Sequence, residues 1–448
     1  MTAIVPLRKG LGEESAQVQW RSGHLFIRLP RVARRNTTVQ PTAPRGWKTI
    51  AALAILFGLA AWTGVHFSET VKATDFPDFY CAARMLANGH AHQLYDANIQ
   101  YEYQARYAGR IGTLYIHPPF EATFYLPVAW LPIRDAYLLW FLFNLVFLAV
   151  TMRVLARLAD SPWDWPILTI VSLLFVPVIL CLQQGQDSLL LLLLLVLGLA
   201  ALRQENNSAA GCWLALGLFK FQIVVPLILV LLLVQRGKPR MQMLKGFTLV
   251  AFGLAAFSAA ICGWSVFATY PEFLRHLSSQ PFAGIHPRAM ANFRGLISLV
   301  GLNQSALDRS MVAALSITAL LLVLSICKRA EAMAQVLGTS SSSHEAESAY
   351  GYALIFALLV SYHLNPHDLS VLLIPIFVET RRVRVRRPQS IAQWGIATLM
   401  AFLSLPPLHL WGLRSQLYCV LAVPIFLALG IAALSRKREE DPNWHSAA

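Results

Sequence analysis

The sequence predicts an all-α polytopic membrane protein with about 11–12 transmembrane helices and a long first outer loop. Hydrophobic residues make up 56% of the 448, and only 13% are charged, about half the usual share of a soluble domain. Apolar runs recur along most of the chain, so one multi-helix domain accounts for it better than several soluble ones. The Lys and Arg residues gather in short blocks between those runs, the pattern of positive-inside topology.

A bilayer core needs roughly 20 apolar residues per helix. The runs that qualify, some only marginally, are 49–67, 135–153, 165–182, 187–203, 208–235, 245–263, 308–327, 349–363, 368–380, 391–406 and 415–434. Run 208–235 is interrupted by Lys220 and reads as two half-helices or two short spans. Run 119–133 is short and bracketed by prolines.

The formal net charge is +14. Topology explains it without a nucleic-acid partner. Segment 1–47 carries eight Lys and Arg residues against Glu13 and Glu14, and reads as a basic, poorly ordered cytoplasmic arm, either a topology signal with no other role or a segment that touches anionic lipid, the first favoured. The first apolar run begins too deep for a signal peptide and reads as a retained anchor. Residues 48–435 form the membrane domain, and 436–448 a cytoplasmic tail.

Blocks at Arg236–Lys245, Lys328–Arg329, Arg381–Arg387 and Arg436–Arg438 are expected inside. Loops 68–117 and 264–307 and the turn near 364–367 then fall outside. If 119–133 is re-entrant and 208–235 crosses twice, Arg153, Arg157 and Arg203 also lie inside; charge favours that arrangement. Residues 338–347 are low-complexity and read as a flexible cytoplasmic loop. The six cysteines show no CxxC or Cys/His spacing, so neither a disulfide framework nor a zinc site is expected.

Chemistry is sought where polar groups sit beside the membrane, because such groups are costly there unless paired or used. Asp75 and Asp78 follow the first span. Carboxylates at that spacing suit a general base, a divalent cation, or a helix N-cap. Tyr80 follows them, and His117 precedes two prolines that can open a helix whose N-terminus favours phosphate. Gln186 and Asp187 lie in a turn between two apolar runs. Lys220 interrupts a run, either to meet a lipid phosphate or to snorkel. His286, Arg288, Asn292 and Arg294 stand on the second outer loop, where an arginine can hold phosphate. His363, His367 and Asp368 flank a break between two short spans.

Together these segments resemble the glycosyltransferase 87 family. The shared pattern is Asp75-Phe76-x-x-Phe79-Tyr80-x-Ala82-Ala83, Gly89, and Leu94-Tyr95-Asp96. His117-Pro118-Pro119-Phe120 stands where the family often has Tyr-Pro-Pro. Ala136-Tyr137, Trp140 and Asn144 follow. Gly185-Gln186-Asp187 resembles the family's Gly-Gln-Asn. Gly217-Leu218-Phe219-Lys220 resembles its Gly-x-x-Lys-Pro, with Phe221 in place of the proline. Asn292-Phe293-Arg294-Gly295 is a looser match.

The resemblance spans roughly residues 50–380. It implies a GT-C-like bundle and a catalytic aspartate on the first outer loop, with Asp75 the better match and Asp78 the runner-up. It further implies transfer of a hexose, mannose in known members, from a polyprenyl-phosphate donor to a lipid or glycan acceptor. Inversion would occur at the outer face of the cell membrane, with both termini cytoplasmic. Lys220, Arg294, His117 and His367 would meet the donor phosphate. Tyr80, Gln186, Asp187, His286, Asn292, His363 and Asp368 would contact substrate. No cofactor is required, and a divalent metal is compatible with the carboxylates. The rival readings are a transporter or flippase, suggested by the broken run at Lys220 although no inverted repeat is evident, and a non-enzymatic scaffold.

Overall fold

The structure is a computed structural model that describes residues 2–5, 16–21, 24–28, 46–158, 164–278, 286–300, 306–337, 342–386 and 391–438. The chain divides into two units, Met1–Lys48 and Thr49–Ala448. In the first, β1 (Thr2–Val5), β2 (Ala16–Arg21) and β3 (His24–Arg28) form an antiparallel sheet in that order. Val18 pairs with Ala3 on one side and Ile27 on the other. This part of the arm is therefore structured. Its alternation of Ala16, Val18 and Trp20 with polar residues is a strand signal that the arginine count obscured. Arg31, Arg34, Arg35 and Arg45 lie outside the described residues.

Among the described residues the regular structure of the membrane unit is all helical, and the chain is a multi-pass membrane protein. Helix α1 (Gly46–Glu69) opens it. The expected outer loop is a folded cap of α2 (Phe76–Ala87) and α3 (Ala97–Tyr103), not an open loop. Pro77 sits in the first turn of α2, where its missing N–H costs nothing. The Asp96 carboxylate accepts from the Asn98 and Ile99 amides to start α3. Phe76, Phe79, Ala82, Ala83 and Met85 of α2 are buried in the core.

Residues Pro119–Val128 form a 3₁₀ segment of ten residues. At a rise of about 2 Å per residue it is too short to cross a hydrocarbon core of about 30 Å. Helix α4 (Ile133–Leu158) follows as a full span. The expected span at 165–182 is broken: α5 (Trp165–Ser172) and α6 (Val176–Gln184) meet at 79°. Pro177 in the first turn of α6 marks the break.

Next come α7 (Ser188–Arg203), α8 (Asn207–Leu216) and α9 (Phe221–Val234). By length and apolarity alone the 28 residues Asn207–Val234 would make one span. Their ends meet instead, because Gln235 Nε2 donates to Asn207 Oδ1 at 3.2 Å. The segment is a helical hairpin with the 3₁₀ turn Gly217–Lys220 at its tip. Helix α10 (Gly237–Cys262) backs onto it through Gly211 and Gly246, where any Cβ would strike the facing backbone. Small residues at such crossings let membrane helices pack closely.

The remaining helices are α11 (Val266–Ser278), α12 (Phe293–Ile297), α13 (Ala306–Leu337), α14 (Ser342–Val360), α15 (Leu373–Arg386), α16 (Ile391–Leu403), α17 (Pro406–Arg414) and α18 (Ala422–Arg438). Part of the expected flexible loop 338–347 is helical, since α14 begins at Ser342; residues 338–341 lie outside the described residues. The expected span 391–406 is bent by 59° between α16 and α17. Of the tail, residues 439–448 lie outside the described residues. Among the described residues, four stretches pass a length-and-apolarity test for spanning, counting Asn207–Val234 as one, and the two bent pairs bring the number to six. The expected count relied on straight runs. Bent pairs, a hairpin and shorter apolar helices take up the other apolar runs.

The polar groups sort to two ends of this bundle. At one end Arg203 and Arg381 converge on Glu347 and on the carbonyl of Leu158. At the other, the turn before α7, the hairpin tip and the segment after α14 come together. The 16 residues of α7 separate the two ends by about 24 Å.

Candidate active site

The site is built around a tight turn. Helix α6 ends at Gly185, which adopts a left-handed φ of +65°. The Gln186 amide then bonds back to the Cys181 carbonyl at 3.0 Å, a Schellman-type end. A Cβ at Gly185 would lie 2.8 Å from Phe76, so only glycine fits both the dihedral and the contact. Helix α4 fixes the same turn from behind: Tyr137 donates to the Leu182 carbonyl at 2.7 Å, and Asn144 to the Gln186 carbonyl at 3.0 Å.

This turn holds Asp75. Gln184 Oε1 accepts from the Asp75 amide at 3.1 Å, and Gln186 Nε2 donates to Asp75 Oδ2 at 2.7 Å. Asp75 stands at the N-cap position of α2, yet its side chain caps nothing. It faces a cavity of about 310 Å³ that is also lined by Asp78, Thr113, His117, Gln186, His363, Asn365 and His367. Burial raises the Asp75 pKa above the usual carboxylate range, while the Gln186 hydrogen bond and the Lys220 charge pull it back.

Asp78 is engaged on both oxygens. Gln104 donates to Oδ1 at 3.2 Å and the Thr113 hydroxyl to Oδ2. It thus ties α2 to the chain on the far side of the cap. Burial raises its pKa strongly, with the Thr113 bond opposing.

Beneath the cavity lies a layer of buried charge. Lys220, at the hairpin tip, is 3.4 Å from Asp187 Oδ1 and 3.4 Å from Asp368 Oδ1. It also donates to Gln186 Oε1 at 3.4 Å. Asp368 is held further by the Ser188 hydroxyl at 2.8 Å and the Asn365 amide at 2.9 Å, and His367 Nε2 lies 3.6 Å from it. Glu121, fully buried, has His117 Nδ1 at 3.0 Å and lies against Asp187 closely enough to share a proton with it. Burial pushes Glu121 up to about 8, and it pushes the His117 imidazolium down to about 4, with Lys220 adding to that effect.

The structure therefore sorts the residues expected from sequence. Asp75, Asp78, His117, Gln186, His363 and His367 share the cavity wall. Lys220, Asp187 and Asp368 form the layer behind it. Lys220 neither snorkels nor faces the cavity; it is 2% exposed and already paired. Four expectations move away from the cavity wall. The Tyr80 hydroxyl donates to the Leu131 carbonyl at 2.7 Å and accepts from Arg84. The Arg294 guanidinium stacks on the Tyr362 ring at 4.1 Å and bonds its carbonyl at 3.0 Å. Asn292 caps α12 and donates to the Ser361 carbonyl at 2.7 Å. His286 is exposed and lines no part of the cavity. Arg294 and Asn292 thus brace the segment that carries His363.

Sequence reading missed Glu121, Gln184 and Thr113 as site residues. Glu121 had a signal, a carboxylate four residues after a membrane-edge histidine, where the two can meet on one helical face. Among the described residues no group of three His, Cys, Asp or Glu side chains is arranged to hold a metal ion.

Residues 115–361 match Glycosyltransferase family 87. The chain belongs to this family. The match covers the wall segment with His117, the Gly185 turn and the Lys220 hairpin, and it makes the protein a membrane glycosyltransferase. Among curated proteins and solved structures, none matches the chain.

Proposed function

We propose that this family 87 enzyme transfers a hexose, mannose by its resemblance to known members, from a polyprenyl-phosphate donor to an acceptor hydroxyl with inversion. The observation that carries the reading is Asp75, the cavity carboxylate whose side chain accepts one hydrogen bond, from the Gln186 amide, where both oxygens of Asp78 are engaged by Gln104 and Thr113. Asp75 takes the acceptor O–H proton as that oxygen attacks the anomeric carbon. The bond from the anomeric carbon to the phosphate oxygen breaks, and polyprenyl phosphate leaves with the electron pair. Ring N–H groups of His117, His363 and His367 receive its charge. Lys220 acts at one remove, by fixing Gln186 and offsetting Asp187 and Asp368. Asp78 holds the cap and is not the base.

Positive-inside topology supports an outer-face site. The end carrying Arg203 and Arg381 is the basic one, which favours the cytoplasmic face for it and the outer face for the Asp75 cavity. Nucleotide sugars are cytoplasmic, which favours a lipid-linked donor there.

The test is to incubate the protein in lipid nanodiscs with a panel of polyprenyl-phosphate sugars and follow release of polyprenyl phosphate. Asp75→Asn should lower turnover by roughly 10²–10⁴-fold with unchanged thermal stability. Near-normal turnover in that variant overturns the assignment of the base.

A further inference from the structure

Two glutamines flank Gly185, and both hold Asp75. Gln186 is engaged at both ends of its amide: Nε2 donates to the Asp75 carboxylate, and Oε1 faces Lys220. Gln184 is engaged at one end. Its Oε1 accepts from the Asp75 backbone amide at 3.1 Å. A backbone N–H can only donate, so the oxygen of Gln184 must face it and the NH₂ group must point elsewhere. That NH₂ group donates to no other group among the described residues. Gln184 is half-buried and lines the Asp75 cavity. It stands one residue before Gly185-Gln186-Asp187, the stretch that resembles the family's Gly-Gln-Asn.

Size and position define what this donor can meet. At about 310 Å³ the cavity is at the lower end of small-ligand sites, with room for a sugar phosphate and little more. The wall around Asp75 therefore meets the sugar being transferred. Inversion places the attacking oxygen and the leaving phosphate on opposite sides of the anomeric carbon. A donor anchored to Asp75 then stands away from the phosphate, whose charge goes to the imidazole rings. What remains within its reach is a neutral hydroxyl oxygen, the natural partner of a neutral amide N–H. The anchor is also stiff: Tyr137 donates to the carbonyls of Leu182 and Gln183, which pins the chain that carries Gln184. A donor held in this way separates a sugar hydroxyl from a hydrogen, because an analogue lacking the hydroxyl leaves the amide unpaired.

We infer that Gln184 is a sugar-selecting residue, and that its Nε2 donates to one hydroxyl of the hexose being transferred. This rests on the transferase reading above. The experiment uses full-length protein in nanodiscs and measures donor affinity without acceptor. The probes are short-chain polyprenyl-phosphate mannose, glucose and galactose, and the 2-, 3-, 4- and 6-deoxy analogues of whichever binds. Wild type should bind one deoxy analogue roughly tenfold more weakly than its parent. Gln184→Met should lose at least that factor on the parent and lose nothing further on that analogue. Gln184→Glu keeps the oxygen for the Asp75 amide and removes only the donor, so it should lose the same discrimination. Equal losses on the parent and on all four analogues would confine Gln184 to holding Asp75 and overturn the inference. So would wild-type discrimination kept in both variants, or no binding of any probe. The two readings fail separately. Discrimination lost in both variants, but no turnover of any donor by wild type, removes the transferase and leaves the contact. Turnover by wild type with discrimination unchanged in both variants removes the contact and leaves the transferase.

Discussion

Gln186 bridges Asp75 and Lys220: its Nε2 donates to Asp75 Oδ2 at 2.7 Å while its Oε1 faces the Lys220 ammonium at 3.4 Å. The contact with Lys220 fixes which end of the amide points at Asp75, so the carboxylate always meets a donor. The lysine charge reaches the proposed base through this amide without an ion pair that would consume it.

Replacing Gln186 by Leu removes a bond that lowers the Asp75 pKa. Asp75 must be ionised to accept a proton, so the acidic limb of the pH–rate profile should move to higher pH. The maximal rate should fall roughly 10–100-fold, less than the roughly 10²–10⁴-fold that a general base itself contributes. Gln186→Leu activity with an unmoved acidic limb would show that the amide does not tune Asp75. Gln186→Asn, too short to span both partners, should behave like Leu.

Lys220 is the only cation in contact with Asp187 and Asp368 among the ion pairs of the described residues, apart from the histidine beside Asp368. Removing one partner of a buried pair leaves uncompensated charge, at a cost of about 3–5 kcal/mol. Lys220→Met should therefore lose folded protein, seen as a fall in monodisperse yield and melting temperature. Adding Asp187→Asn should restore part of both. If Lys220 served only to bind donor phosphate, Lys220→Met would be stable and the second substitution would rescue nothing.

How far this site could be read from sequence depended on whether a residue's partner was local. Asp75, Gln186, His117 and His367 were legible because each sits in a short motif at a membrane edge. The expense of Lys220 was legible too, but its partners come from two other segments, and no periodicity reports them. Apolar length could not distinguish one span from a hairpin at 207–234; the contact between Asn207 and Gln235 decides it. Arg294 and Tyr80 misled for the same reason. Their residue types suit phosphate and sugar, yet neighbours distant in sequence, Tyr362 and Leu131, already occupy their polar groups.

Glu121 offers the most direct check on the buried layer, because one lysine cannot neutralise Glu121, Asp187 and Asp368 together. The Glu121–Asp187 pair titrates as a unit, and burial raises the proton affinity of Glu121 to about 8 from an ordinary value of 4.5. The folded state therefore holds a proton that the unfolded chain has released over that interval. By linkage, wild-type stability falls as pH rises from about 4.5 to 8, at up to roughly 1.4 kcal/mol per pH unit. Glu121→Gln keeps the shape and a hydrogen-bonding partner for His117 but cannot ionise. Near pH 5 the variant and wild type should melt together; near pH 8 the variant should be the more stable. Its turnover should also hold into alkaline solution, where ionised Glu121 would crowd the wild-type layer with negative charge. Parallel melting curves across this range would mean that the Glu121 pKa is not raised in the folded protein and that Glu121 shares no proton with Asp187.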